Sequence, residues 1–249
     1  MLEIIKAIIY GIVEGITEWL PISSTGHLIL VERLITFQET SEGFFDMFDV
    51  VIQLGAILAV VVLFWNKIWP FYMKKNQQTK KGGIVRSKKD FTVGNVALSM
   101  DAFWMWVKIV VACIPAVVYG LLFDDVVSEA FKKEIGTSGV TVQVIVVAVM
   151  LILVGVLFIV IENWNKNRVP TTTTLSQLTY RDALIIGFCQ LVAAALPGTS
   201  RSGATILGAI MIGISRTVAA EFTFFLAIPV MFGASLLKVL KFGFAFTGM

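Results

Sequence analysis

The sequence predicts an all-α polytopic membrane protein built on inverted-topology repeats, each with a re-entrant broken helix. Three observations predict it. Of 249 residues, 57% are hydrophobic and 15% charged, with a mean hydropathy of +0.86, more apolar surface than a soluble domain of this length carries. Several stretches reach the roughly 20 apolar residues that a membrane span needs. Two further apolar stretches are broken in the middle by proline, glycine and hydroxyl residues, and the two resemble each other.

Residues 4–30 form the first broken stretch, interrupted at Pro21-Ile22-Ser23-Ser24-Thr25-Gly26-His27. The acids Glu3, Glu14 and Glu18, and the lack of a small-residue cleavage site, argue against a signal peptide. Continuous spans are expected at about 48–66, 103–123, 140–161 and 218–240. The second broken stretch, 183–211, is interrupted at Pro197-Gly198-Thr199-Ser200-Arg201-Ser202-Gly203. Cys113 and Cys189 lie in apolar runs without metal-type spacing and read as small packing residues.

The pairs Gly11 and Gly187, Glu14 and Gln190, Leu20 and Leu196, and Pro21 and Pro197 share one spacing of 176 residues. One extra residue then enters, and Gly26 aligns with Gly203. An internal duplication follows: a single membrane domain over 1–249, with repeat one running to about 135 and repeat two from about 140. Three continuous spans separate the broken stretches. If each broken stretch dips in and returns on its own side, the copies enter from opposite faces and their breaks meet inside the membrane. If each spans fully, the copies are parallel. Proline and glycine at membrane depth favour re-entry, because loose backbone is tolerated there only around a protein-lined cavity.

Charge orients the chain. Segment 67–100 holds eight basic residues against one acid, a net +7, whereas 31–47 carries −3 and 124–139 carries −2. The basic loop is therefore expected on the cytoplasmic side and the other two outside. Lys238 and Lys241 fall near an expected outer end and fit less well. The basic loop reads as a topology determinant touching anionic lipid, and no nucleic-acid partner is expected.

Glu14 and Glu18 share one helix face in an apolar setting, where a carboxylate is costly unless it lines a polar cavity. Their plainer reading is a pair near a helix end, reaching interfacial water. Ser23, Ser24, Thr25, Gly26 and His27 follow at once, and His27 is the chain's single histidine. A half-helix beginning there would point free N–H groups and its positive dipole end at an anion. Arg201, flanked by Ser200, Ser202 and Gly203, suits phosphate through its planar fork. It could equally neutralise Glu14 or Glu18 in the empty site. Gln53 and Asp49 lie one turn apart in the 48–66 run and could support the site; Glu221 could be a helix N-terminal acid.

The stretch Glu14 to His27 closely resembles the signature of the bacterial undecaprenyl-diphosphate phosphatase family, also called the bacitracin-resistance protein family. Pro197 to Thr205 resembles its second signature, and Phe48 to Gly55 is family-like. The resemblance implies removal of the terminal phosphate from undecaprenyl diphosphate, which recycles the carrier lipid for cell-wall synthesis. It implies a plasma-membrane location, a pocket open to the outer face, frequent homodimers and a divalent cation such as magnesium or calcium. It also implies two more hydrophobic helices after the segment matching 218–240, so repeat two is expected to lack them.

Catalytic roles are expected for Glu14, Glu18, Ser24, His27 and Arg201. Substrate binding is expected at Ser23, Thr25, Gly26, Ser200, Ser202, Gly203 and Gln53, and metal binding at Glu14 and Glu18. Ser24 with His27 as its base fits an activated hydroxyl; His27 itself or water are alternative nucleophiles. Lipid phosphatases of the type-2 phosphatidic-acid class need two histidines, which excludes their mechanism here. The rival class is a transporter, a polyprenyl-phosphate flippase or anion carrier, which would also use broken helices and a buried arginine.

Overall fold

The computed structural model describes residues 2–37, 44–73, 90–93, 96–122, 140–196 and 198–247. The charged residues of 74–89, the 124–139 loop, Pro197 and the side chains of Lys238 and Lys241 lie outside that set.

The first broken stretch folds as α1 (Leu2–Thr17) and α2 (Ser24–Leu34), separated by the expected break. The two helices form a hairpin whose open end is tied shut. Lys6 Nζ donates to the Thr36 carbonyl (2.6 Å) and Tyr10 Oη to the Ile35 carbonyl (2.8 Å). The chain thus returns to the end from which it entered.

Helix α3 (Phe44–Leu63) starts earlier and ends sooner than the expected 48–66 span; Phe64 turns the chain into the short α4 (Trp65–Ile68). Three strands follow, an element not expected from the sequence: β1 (Phe71–Met73), β2 (Phe91–Val93) and β3 (Val96–Leu98). They form an antiparallel sheet in the order β1-β3-β2, with Tyr72 and Thr92 both opposite Ala97. Three-residue strands in a lysine-rich segment leave too little alternation to be legible. Asp90 fastens the sheet to the next helix, accepting from Tyr72 Oη (2.7 Å) and from the Met100 N–H (3.2 Å).

Next come α5 (Met100–Leu122), α6 (Val140–Asn165), α7 (Tyr180–Ala195), α8 (Arg201–Met211) and α9 (Arg216–Thr247). Thr179 and Asp182 close a capping box that fixes the start of α7, at 2.9 and 3.1 Å. Helices α7 and α8 form a second hairpin. Its far end folds back on its approach: the Thr171 N–H donates to the Gly213 carbonyl (2.8 Å) and the Ser215 N–H to the Thr172 carbonyl (2.9 Å). Met100–Gly120, Val144–Asn165 and Arg216–Leu237 are long and apolar enough to cross a membrane, and Met47–Leu63 is a shorter apolar helix. The chain is a multi-pass membrane protein, all-α apart from the small sheet.

Contacts along α3 show how the hairpins are related. The mouth of the first lies at the beginning of α3, where the Tyr10 ring packs on Phe45 and Phe48 with centroids 5.6 and 5.9 Å apart. The mouth of the second lies beyond the other end of α3, where Lys67 pairs with Glu221 in the first turns of α9 (2.7 Å). Further along, Ser235 Oγ donates to the Val50 carbonyl (3.0 Å), so α9 runs antiparallel to α3. The hairpins open at opposite ends, and their breaks meet between. Ser202 Oγ donates to the Leu20 carbonyl (3.2 Å), and a side chain at Gly203 would meet the Pro21 carbonyl at 3.3 Å.

Candidate active site

Each break ends in a serine-capped helix. Ser23 Oγ accepts from the Gly26 N–H (3.4 Å), and Ser200 Oγ accepts from the Gly203 N–H (3.1 Å). The caps consume one amide each, leaving the N–H groups of Ser24 and Thr25, and of Arg201 and Ser202, without intrahelical acceptors. Ser24 and Arg201 hold the same position, first in α2 and first in α8. The duplication therefore brings a hydroxyl and a guanidinium to equivalent places on two converging helix N-termini. Ser23 adopts a positive φ of 61°, a strained conformation of the kind that collects at working sites.

A cavity of about 210 Å³ lies between the breaks, lined by Glu18, Ser23, Ser24, Thr25, Gln53, Ala193, Thr199, Ser200, Arg201 and Ser202. At its centre Glu18 is held by both copies. Its Oε1 takes the Arg201 guanidinium, and its Oε2 accepts from Ser24 Oγ at 2.7 Å. The same Arg201 Nη2 lies 2.8 Å from the buried Met231 Sδ, and among the described residues Nε and Nη1 have no hydrogen-bond partner. Ser202 Oγ is 3.1 Å from Ser200 Oγ and also donates to the Glu18 carbonyl (3.3 Å).

Four residues expected at the site do not line this cavity: Glu14, Gly26, His27 and Gly203. Glu14 is fully buried one turn behind Glu18; among the described residues no N–H or O–H donor reaches its carboxylate, and its nearest charged neighbours are Glu18, Asp49 and Arg201. Gly26 serves packing, because a side chain there would press on Leu151 and Val147 at 3.3 and 3.4 Å. His27 Nδ1 is 2.8 Å from the Ser23 carbonyl. A carbonyl only accepts, so Nδ1 carries a hydrogen, and in the neutral ring Nε2 is the acceptor. The Ser24 hydroxyl donates to Glu18 and not to His27, with which it was expected to pair. Thr199 and Ala193 line the cavity although neither was singled out in the sequence. Thr199 Oγ1, buried without a partner, could have been found as the remaining hydroxyl of the second break. Glu221, an open question in the sequence, is the ion-pair partner of Lys67.

The donors at the cavity are of the kind a hard divalent cation takes, with Glu18 in the lining and Glu14 one turn behind it. They are oxygen atoms only, the ligands magnesium and calcium take, and the Glu14 carboxylate is buried without a hydrogen-bond donor. No three His, Cys, Asp or Glu side chains converge with ligand spacing among the described residues. Water and a ligand's own oxygens would complete such a shell, as is common for magnesium.

The comparisons with known proteins agree across this architecture. The undecaprenyl-diphosphatase of Desulfitobacterium hafniense is 55% identical over 248 residues, covering 100% of this chain and 78% of the relative. That of Enterococcus faecalis is 53% identical over 246 residues (99% and 79%). That of Acetivibrio thermocellus is 54% identical over 247 residues (99% and 79%). The family model described as Bacitracin resistance protein BacA matches residues 7–248, which take in both hairpins and the cavity between them, and the chain belongs to that family.

Proposed function

We infer that the chain is an integral-membrane undecaprenyl-diphosphatase, hydrolysing undecaprenyl diphosphate to undecaprenyl phosphate and inorganic phosphate. Relatives of that name match nearly the whole chain at about half identity. The observation that carries the reading is the Arg201–Glu18–Ser24 chain across the two breaks. A carrier would use the arginine and the helix ends, but it has no need of a hydroxyl hydrogen-bonded to a carboxylate.

The roles follow from the geometry. Incoming diphosphate displaces Glu18 from Arg201, and the guanidinium turns to the phosphoryl oxygens, joined by the free N–H groups of α2 and α8. Glu18, released from its ion pair, takes the Ser24 proton as Ser24 Oγ attacks the terminal phosphorus. The Oγ–P bond forms, the bridging P–O bond breaks, and lipid monophosphate leaves as a stable anion. Glu18 passes the serine proton to the departing monophosphate. Water then gives a new proton to Glu18 as its oxygen attacks the phosphoserine; the Oγ–P bond breaks, Ser24 Oγ takes that proton back, and inorganic phosphate is freed. His27 steadies the Ser23 carbonyl of the strained break and keeps Nε2 for a proton. Glu14 and Glu18 would hold the divalent cation, which when bound neutralises phosphate charge. Thr25, Gln53, Thr199, Ser200 and Ser202 offer polar contacts to the headgroup.

The charge distribution supports a plasma-membrane location with the 67–100 segment in the cytoplasm. The first hairpin then opens outward, and the lipid would enter from the outer face. A homodimer is proposed on the family resemblance alone. The test is phosphate release from undecaprenyl diphosphate by the purified chain. Release abolished by Arg201→Ala and Glu18→Gln supports the reading; lipid movement between leaflets with no phosphate release overturns it.

A further inference from the structure

A second cavity, about 370 Å³, lies away from the site, where α6 ends and α9 begins. Asn165, Arg168, Thr171, Met211, Gly213 and Arg216 are among its lining residues. Its depth in the membrane is set by its neighbours. The span Val144–Asn165 finishes at one wall and the span Arg216–Leu237 starts at the other, so the cavity sits where two crossing helices leave the apolar layer. The floor is firm, because the Thr172–Ile214 bridge and the Thr171–Gly213 hydrogen bonds join its two sides.

Its two arginines differ. Arg216 is neutralised, its Nε donating to both Glu162 oxygens at 2.9 and 3.0 Å. Arg168 is not: among the described residues its guanidinium makes no hydrogen bond or ion pair, and it lies flat over the Trp164 ring, 3.7 Å from the centroid. Stacking leaves the in-plane N–H fork of Arg168 available, the geometry that binds phosphate through two parallel bonds. The buried Asn165 donates its amide to the Ile161 carbonyl (3.1 Å), which holds the amide in place at the wall. Trp164, Val169 and Met211 are exposed around the rim. A polar cationic hollow with an apolar rim, at headgroup depth, suits an anion attached to acyl chains.

We propose that this cavity binds phosphate at the membrane interface, either in the headgroup of an anionic phospholipid or as the free anion, with Arg168 as its principal ligand. The site is distinct from the Arg201 cavity, and its occupant need not be a substrate.

Native mass spectrometry of the full chain tests this, with protein released from vesicles of phosphatidylcholine alone or mixed with phosphatidylglycerol. Phosphatidylglycerol should be retained over phosphatidylcholine. Arg168→Ala should weaken that retention roughly fivefold, the effect of one basic side chain near an anionic surface. Lys166→Ala, an exposed cation two residues away and outside the cavity lining, should change it little. Retained lipid that inorganic phosphate displaces identifies free phosphate as a competent ligand; lipid that resists displacement identifies the headgroup. Equal retention of the two lipids, retention unaffected by Arg168→Ala, or an equal loss in Lys166→Ala overturns the proposal.

Discussion

At the residue scale, the site is one carboxylate shared between two partners. Glu18 holds Arg201 and Ser24 at once, so the site keeps its guanidinium and its hydroxyl on a single group. Removing either charge leaves the other buried without compensation. Arg201→Ala and Glu18→Gln should each lower phosphate release by roughly 10²-fold or more, the usual cost of removing a charge-stabilising group. The hydrogen bond also sets an order between two expected catalytic residues. Ser24→Ala and Glu18→Gln should cost more than His27→Ala, because His27 touches the break through its backbone and not the hydroxyl. Steady-state release by the three variants measures that order, and a His27→Ala loss equal to the other two would restore His27 as the base. Glu14 supplies a further expectation. With its oxygens buried and undonated, chelation of divalent cations should suppress release, and magnesium or calcium should restore it, in a metal titration of the purified chain.

At the scale of elements, each hairpin needs a short break that packs tightly enough to sit at membrane depth. Val147 of α6 touches both breaks, against Gly26 on one side and Gly198 on the other. Gly198 has φ 83°, and a side chain there would meet the Val147 backbone at 2.9 Å. Gly198→Ala should therefore destabilise the chain by about 1–3 kcal/mol from backbone strain alone, read as a lower thermal midpoint in detergent. Adding Val147→Ala should recover only part of the loss, since the strained φ remains. The helices themselves were legible, because long apolar runs and proline at each break are local signals. The small sheet was not legible, because its strands are three residues each and β1 finds β3 only across the intervening 74–89 segment. The packing role of Gly26 was hidden for a related reason: its neighbours Val147 and Leu151 lie more than a hundred positions away.

At the scale of the molecule, the two hairpins open at opposite ends of α3, with Tyr10 on Phe45 and Phe48 at one end and Lys67 on Glu221 at the other. This has a direct consequence for accessibility. A cysteine replacing Thr36 should be labelled by an impermeant thiol reagent only from outside sealed cells. A cysteine replacing Thr171 should be labelled only after the membrane is opened. Labelling of both from one side would show the copies to be parallel. Opposed hairpins also explain how a duplicated segment makes an asymmetric site: its Ser24 and Arg201 are one position in two copies, turned to face each other.

The sequence by itself determined that the chain lives in a membrane, where its helices break, and which residues carry charge and hydroxyls at those breaks. These are matters of composition and local spacing, and a bilayer leaves a chain few ways to satisfy its backbone. The tertiary structure alone decided which of those residues share a cavity. Glu18, Ser24 and Arg201 converge there, while Glu14, Gly26, His27 and Gly203 fall behind or beside it. That outcome depends on the depth and rotation at which two hairpins, 183 residues apart at the Glu18–Arg201 contact, pack against α3, α6 and α9, and no local pattern encodes it.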